Sequence, residues 1–135
     1  MWFLHDLGRL NRERCAVQAL EAANDWLDGV HWQLDAAVII DAEIVLGEDQ
    51  RYPIRLRYPE HYPSVPPSVR PRESARWSDH QYGASGDLCL ELGPDNWHPD
   101  AHDASHILQS AYRLLSLEAD HAQDPAVDIP SRHQL

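Results

Sequence analysis

The sequence predicts an α+β fold in which one helix precedes, and another follows, an antiparallel meander sheet. Two stretches with helical spacing of apolar residues flank three short alternating runs. Short links between these runs favour antiparallel pairing, because parallel strands need a crossover of a dozen or more residues. A chain of 135 residues has the size of one domain and buries roughly two thirds of its unfolded surface. Residues 1–135 are therefore expected to form a single domain.

The first helix is predicted from about Asp6 to Gly29, where the glycine would end it. Its apolar face repeats at steps of three and four residues and comprises Ala16, Leu20, Ala23, Leu27 and Val30. Four charged residues fall off that face and are expected in solvent: Arg12, Glu13, Glu21 and Asp28. Cys15 lies in this helix, where a cysteine is most often a small core side chain.

Three strands are predicted next. The first alternates apolar and polar positions from about Trp32 to Ile40, and the second covers Glu43 to Leu46. A polar turn at residues 47–50 separates the second strand from the third, which runs from Tyr52 to Tyr58.

A proline-rich segment follows, since six of the ten prolines lie between Pro53 and Pro71. Proline donates no backbone hydrogen bond, so we expect stiff irregular backbone with at most an edge strand near Val69. A linker, or a proline-rich ligand for another module, is the alternative interpretation. Interleaved tyrosines and valines disfavour it, because linkers rarely carry so much apolar surface.

A long polar loop is expected over residues 72–85, and a second helix after the following segment. Asp103 or Ser105 is placed to cap that helix. Its apolar positions are Ile107, Leu108, Ala111, Leu114 and Leu115. The helix should lie across the sheet, and the tail from Asp120 is too rich in proline for another long helix.

Charge and composition limit the classes of molecule that this protein is expected to bind. Eleven basic residues oppose 22 acidic ones, for a net charge of −11, which disfavours nucleic acid and anionic lipid as partners. No signal peptide or membrane span is recognisable, so a reducing, cytoplasmic environment is expected. All eleven basic residues are arginines. Two explanations for the absence of lysine are open: a bias in the base composition of the genome, or avoidance of primary amines that could react in the protein's own reaction.

The stretch from Gly86 to Pro99 is the candidate site. If Leu88 and Leu90 face inward in an extended segment, the side-chain period of two presents Cys89 on the opposite side. A thiolate is both a good nucleophile toward an acyl donor and a good leaving group. A cysteine flanked by leucines is by itself more often a core residue.

Three blocks, in this order, resemble the ubiquitin-conjugating enzymes, which carry a ubiquitin-like protein as a thioester on one cysteine. The first block is Tyr52-Pro53-Ile54 with Tyr58-Pro59-Glu60-His61-Tyr62-Pro63 and Pro66-Pro67-Ser68-Val69. The second is Gly86-Asp87-Leu88-Cys89-Leu90-Glu91, with Trp97 eight residues past the cysteine and Pro99 beyond it. The third is the helix from His106 to Leu117 followed by Asp124-Pro125, which is similar to the family's crossover helix and acidic-proline turn.

The resemblance implies transfer of a ubiquitin-like protein from an ATP-dependent activating enzyme to Cys89 and then to an amine of a target protein. It implies no metal or nucleotide cofactor, because adenylation belongs to the activating enzyme. The activating enzyme meets the first helix in this family, which makes Arg9, Arg12 and Arg14 candidate contacts, with an ordinary solvated face as the alternative.

The family's His-Pro-Asn tripeptide is replaced by Asp79, His80 and Gln81. The resemblance makes Gln81 a candidate oxyanion donor, although its amide could instead bind its own loop. Asn96 is a second amide of the right type, and His80 and Trp97 would shape the site. Asp124 would orient or desolvate the incoming amine, or else cap the local turn.

The short second hairpin and the absence of two C-terminal helices look most like the minimal prokaryotic members encoded in antiviral defence operons. A non-catalytic variant or scaffold that binds ubiquitin-like proteins is the alternative within the same fold. A metal site is a further one, because three histidines recur at a four-residue spacing and Cys89 could add a thiolate. These histidines are His98, His102 and His106.

Overall fold

The computed structural model describes residues 1–73, 75, 77, 81 and 86–123, with side chains to residue 120. Helices α1 and α2 are followed by four strands, β1 to β4, and by helix α3. Their bounds are α1 Trp2–His5, α2 Leu7–Ala23, β1 Leu27–Leu34, β2 Val38–Gly47, β3 Gln50–Arg57, β4 Ser68–Pro71 and α3 Ala104–Gln123.

The strands form one antiparallel sheet in the order β1-β2-β3-β4, which confirms the α+β fold with a meander. Gly47 pairs with Gln50, so the turn between β2 and β3 contains two residues at the place where the sequence predicts it. Alternate residues on β2 and β3 are fully buried under α2 and α3: Ile40, Ala42, Ile44, Ile54 and Leu56. β4 forms where an edge strand was expected near Val69.

The boundary between the first helix and the first strand differs from the prediction. α2 ends at Ala23, and Asn24 has extended backbone, with φ −138° and ψ 137°. Leu27 and Val30 belong to β1, where the irregular register between Asp28 and His31 interrupts the two-residue alternation and leaves a three-residue spacing that imitates a helix. Gly29, at φ +64°, lies where the β1–β2 register shifts, so this glycine accommodates a bulge and does not end a helix.

The predicted strand over residues 32–40 is also wrong, because a turn divides it. Trp32 lies in β1 and Ile40 in β2, and the two residues face one another across the hairpin. The intervening Asp35-Ala36-Ala37 bends although it contains neither glycine nor proline, the residues that usually signal a turn.

Three assignments on α2 are overturned. Cys15 is exposed, although a core position was expected. Glu13 was expected in solvent and is fully buried, and Arg9 is only 8% exposed. The buried side of α2 runs through Arg9, Glu13 and Val17, so a charged pair occupies part of the face that packs on the rest of the fold.

Asp103 caps α3, as its position before the helix predicted. One carboxylate oxygen of Asp103 accepts hydrogen bonds from the amide and the hydroxyl of Ser105. α3 packs against α2 and contacts β2 and β4, which places it across the sheet. In the part of the chain that the structure describes, no helix combines the length and apolar character needed to cross a membrane.

Candidate active site

Cys89 is buried, although strand alternation predicted that its thiol would be presented on an open side of the segment. Leu88, Cys89 and Leu90 are 5%, 1% and 6% exposed, so both sides of this segment are covered. The amide of Leu88 donates to the Val69 carbonyl at 2.8 Å, and Leu88 forms an isolated antiparallel bridge with Gln81. The cysteine segment is thereby held beside β4 by backbone hydrogen bonds.

Cys89 lines a groove of about 170 Å³. One wall is the proline segment from Val65 to Val69, and the other runs from Leu92 to Pro94, with Asp87 beside the cysteine. The volume is room for about six water molecules at roughly 30 Å³ each. The walls carry mostly apolar side chains, and the thiol itself contributes almost no exposed surface to the groove, since Cys89 is 1% exposed.

Gln81 is 1% exposed, and its amide binds the loop that precedes the cysteine. Its Oε1 accepts from the Trp77 amide at 2.6 Å. Its Nε2 donates to the Ala75 carbonyl at 3.2 Å and to the Gly86 carbonyl at 3.0 Å. Both N–H groups of a primary amide therefore have backbone acceptors, and this geometry favours the loop-shaping alternative for Gln81.

Asn96 closes the turn after the cysteine in a similar way. Its Oδ1 accepts from the Gly93 amide at 2.7 Å, and its Nδ2 donates to the Glu91 carbonyl at 2.8 Å. Ser110 of α3 accepts a hydrogen bond from the Leu92 amide at 3.2 Å. The second groove wall is thus fixed through its backbone, and Asn96 uses its amide for that purpose.

Trp97 joins this turn to the proline segment. Its indole N–H donates to the Pro63 carbonyl at 2.7 Å, and its ring lies 6.0 Å from that of Tyr62. The side chain is 7% exposed, so it shapes the site from below and does not line the groove.

A buried polar network on α2 supports the same region, and the sequence did not reveal it. The Glu13 carboxylate accepts from the hydroxyls of Tyr58 and Tyr62 at 2.9 and 2.6 Å, and from the Ala104 amide at 2.8 Å. Burial raises the pKa of both tyrosines, and the negative charge of Glu13 adds to the shift. Both hydroxyls therefore stay protonated and donate to Glu13.

Arg9 extends this network to the loop before α3. Its guanidinium donates to the carbonyls of Pro99 and His102, each at 2.6 Å, and to the Tyr62 hydroxyl at 2.8 Å. Arg9 Nε lies 3.0 Å from Glu13 but makes no aligned hydrogen bond, so this contact is electrostatic. Arg9 is consequently unavailable as a contact for an activating enzyme, whereas Arg12 and Arg14 are exposed. The four-residue spacing of Arg9 and Glu13 is the sequence feature from which this ion pair could have been predicted.

The three histidines do not form a metal centre. The rings of His98, His102 and His106 are neighbours, with centroids 5.7 and 5.3 Å apart; the first pair is tilted and the second is edge-to-face. Nδ1 of His102 accepts from the His98 amide at 2.9 Å. Burial and the neighbouring imidazoles lower the pKa of His102. Among the described residues, no group of three or more histidine, cysteine, aspartate or glutamate side chains is arranged to hold a metal ion.

Two of the predicted site residues, His80 and Asp124, lie outside the described residues, as does Asp79. Of the others, the structure brings Cys89 to the groove and places Gln81, Asn96 and Trp97 as supports of the segments around it.

Comparison with known proteins agrees with this arrangement. The profile of the ubiquitin-conjugating enzyme family matches residues 15–130. "Ubiquitin-conjugating enzyme E2 2" of Debaryomyces hansenii is 36% identical over 95 residues, which cover 70% of this chain and 51% of that protein. The protein of the same name from Candida albicans is 35% identical over 95 residues, covering 70% and 48%. That from Yarrowia lipolytica is 35% identical over 80 residues, covering 59% and 51%. The chain spans about half the length of the curated relatives it matches.

Proposed function

Because the chain belongs to the ubiquitin-conjugating enzyme family, we propose that it carries a ubiquitin-like protein as a thioester on Cys89. An activating enzyme supplies the ubiquitin-like protein, and an amine of a target protein receives it. The observation that supports this most is the position of Cys89 in a groove between the proline segment and the turn at Leu92–Pro94.

The proposed reaction is two acyl transfers. The Cys89 thiolate attacks the carbonyl carbon of the activated C-terminus, and the activating enzyme's thiol leaves as the new C–S bond forms. The target amine then attacks the same carbon, loses a proton, and expels the Cys89 thiolate. Because the groove walls are largely apolar, a carboxyl-terminal tail lying there would shield the thioester from hydrolysis between the two steps.

The supporting residues divide into two groups under this proposal. Gln81 and Asn96 hold the backbone on either side of Cys89, and Trp97 fixes the proline wall. The two backbone acceptors of the Gln81 amide support a loop-shaping role for this residue. Asp124 and His80 keep the roles that the resemblance implies: orienting the amine and shaping the site rim.

A charging assay tests the proposal. The protein is mixed with the activating enzyme, the ubiquitin-like protein and ATP, and adducts are separated without reductant. We expect a thiol-sensitive adduct that Cys89→Ala abolishes and that Cys89→Ser converts into a reductant-resistant ester. Cys15→Ala is the matched control, since Cys15 is exposed on α2, and it should charge normally. No adduct, while the activating enzyme itself charges, would contradict the proposal.

A non-catalytic scaffold of the same fold is the second candidate. The 1% exposure of Cys89 and the replacement of the His-Pro-Asn tripeptide favour it. This candidate predicts binding of the ubiquitin-like protein that Cys89→Ala leaves intact, without any adduct. Binding titrations beside the charging assay therefore separate the two functions.

We also propose that the protein acts in prokaryotic antiviral defence. The two-residue turn between β2 and β3 supports this, because it fits the short hairpin on which the resemblance to the minimal prokaryotic members rests. Genes for an activating enzyme and a ubiquitin-like protein beside this one would support the proposal. A locus without either gene would contradict it.

A further inference from the structure

The outer face of the sheet, opposite α2 and α3, carries a group of arginines that the proposed reaction does not use. Inward-facing residues of β3 and β4, such as Leu56 and Val69, are fully buried, so the alternate residues point outward. We call these outward residues, with the arginine that follows β4, the arginine patch: Arg55, Arg57, Arg70 and Arg72.

The patch holds like charges close together. Arg55 and Arg70 face one another directly across β3 and β4, which places their Cβ atoms about 5 Å apart. Arg57 and Arg72 are the next outward positions on the same two strands. Like charges directly opposite in a sheet are destabilising, so the fold itself gains nothing from this pairing.

Among the residues that the structure describes, one carboxylate pairs with the patch, and it contacts two of the four guanidinium groups. Asp41 accepts from Arg55 at 2.8 and 3.1 Å and lies 3.9 Å from Arg72. The Arg55 hydrogen bonds lower the pKa of Asp41, which keeps it ionised. Arg57 and Arg70 form no ion pair or side-chain hydrogen bond with any residue that the structure describes. The patch therefore retains positive charge on a chain whose net charge is −11.

We infer that the arginine patch binds an extended, carboxylate-rich segment of a partner protein. Alternate side chains of an extended segment are about 6.6 Å apart on one face, which is also the spacing of Arg55 to Arg57 along β3. Guanidinium groups bind carboxylates through two parallel hydrogen bonds. The patch spans only two strands, so a short acidic segment fits within it. A nucleic acid would extend beyond the patch onto an acidic protein that repels it.

The patch is separate from the proposed catalytic groove, since none of its four arginines lines that groove. Binding there can therefore be measured on the uncharged protein, without an activating enzyme. Failure of the charging assay would leave this inference standing, and failure of the binding assay would leave the proposed reaction standing.

Fluorescence anisotropy with a labelled oligoglutamate peptide tests the inference. We expect binding that weakens with added salt and a loss of about tenfold or more in affinity for the double variant R57E/R70E. The control is R14E/R113E, which makes the same change in net charge at two exposed positions away from the patch. It should retain affinity within about twofold.

Three outcomes would overturn the inference. The first is that oligoglutamate binds no more tightly than a neutral oligoserine peptide. The second is that both double variants lose oligoglutamate affinity equally. The third is that a single-stranded oligonucleotide of matched charge binds more tightly than oligoglutamate and that R57E/R70E abolishes this binding. The last would assign the patch to nucleic acid.

Arg70→Gln provides a second, independent measurement. This change removes the charge opposite Arg55 but keeps much of the side chain, so the urea midpoint of unfolding should rise while oligoglutamate affinity falls. A lower midpoint would mean that Arg70 stabilises the fold, which contradicts its assignment to a binding patch.

Discussion

Replacing Gln81 distinguishes its two possible roles, because they predict different losses. The side chain is buried and makes three hydrogen bonds to backbone groups of its own loop, at Trp77, Ala75 and Gly86. Each such bond contributes about 0.5–1.5 kcal/mol net. Gln81→Ala should therefore lower the free energy of unfolding by about 2–4 kcal/mol, with the lower part of that range if water enters the space.

The functional loss should follow the structural one. Gly86 lies three residues before Cys89, so a loop released from Gln81 no longer holds the cysteine segment in place. We expect charging by the activating enzyme and single-turnover discharge to a free amine to fall together in Gln81→Ala. Gln81→Asn keeps the amide on a stem one methylene shorter, which cannot span all three backbone groups, and should show a similar pattern.

Urea unfolding and single-turnover discharge, measured on the same preparations, test this reasoning. A stability change below about 0.5 kcal/mol, with normal charging and a discharge rate lowered tenfold or more, would refute it. That result would show that the Gln81 amide stabilises the oxyanion of the second step. The matched control is Gln33→Ala. It removes a side-chain amide on β1 that donates to Asp41 at 2.8 Å, and it should leave both transfer steps unchanged.

Three further predictions concern stability, each measured by urea unfolding. Glu13→Ala should lower the free energy of unfolding by about 3–5 kcal/mol, because it leaves a buried guanidinium without its carboxylate. Glu91→Ala breaks an exposed ion pair and should lower it by less than about 1 kcal/mol. Equal losses in the two variants would contradict the buried network. Asp41→Asn should destabilise at neutral pH. Hydrogen bonds from Arg55 hold the pKa of Asp41 below that of a free aspartate, so the stabilisation by ionised Asp41 is fully present above the free pKa and is lost as the pH falls through the lowered folded-state pKa. The difference between Asp41→Asn and wild type should consequently shrink in acid, and a constant difference would contradict this. Trp97→Phe removes the indole donor to Pro63 and should cost about 1–2 kcal/mol; an unchanged midpoint would show that this hydrogen bond is not needed.

Much of the architecture was accessible from the sequence, because periodicity and turn residues act locally. The turn at Gly47, the edge strand near Val69 and the Asp103 cap all depend on a few adjacent residues. The order and spacing of the proline and cysteine blocks also carried the family resemblance, which the family profile supports. Errors arose where the local pattern misleads: the bulge at Gly29 gives Leu27 and Val30 a helix-like three-residue spacing within β1, and the β1–β2 turn contains neither glycine nor proline.

The details of the site depended on contacts between distant segments, which no local pattern encodes. From the sequence alone Glu13 is predicted at the surface, because the groups that bury it are distant in sequence: Tyr58, Tyr62 and the start of α3. The exposure of Cys15 reverses the core position expected in its helix. The burial of Cys89 agrees with its flanking leucines but not with the presentation expected from strand alternation, since burial depends on which elements pack over each residue. The Gln81 contacts likewise require a loop whose path is not encoded in any repeat.

The groove walls have a consequence for how this protein can change. Their shape is maintained through backbone groups: Ser110 and Asn96 hold the turn after the cysteine, and Trp97 holds the carbonyl of Pro63. The wall side chains Val65 and Leu92 make none of these hydrogen bonds. Substitutions at these two positions can therefore change the surface of the groove while its hydrogen-bonded frame stays intact. Under the proposed function, a library at these positions is a practical way to alter which carboxyl-terminal tail the groove accepts.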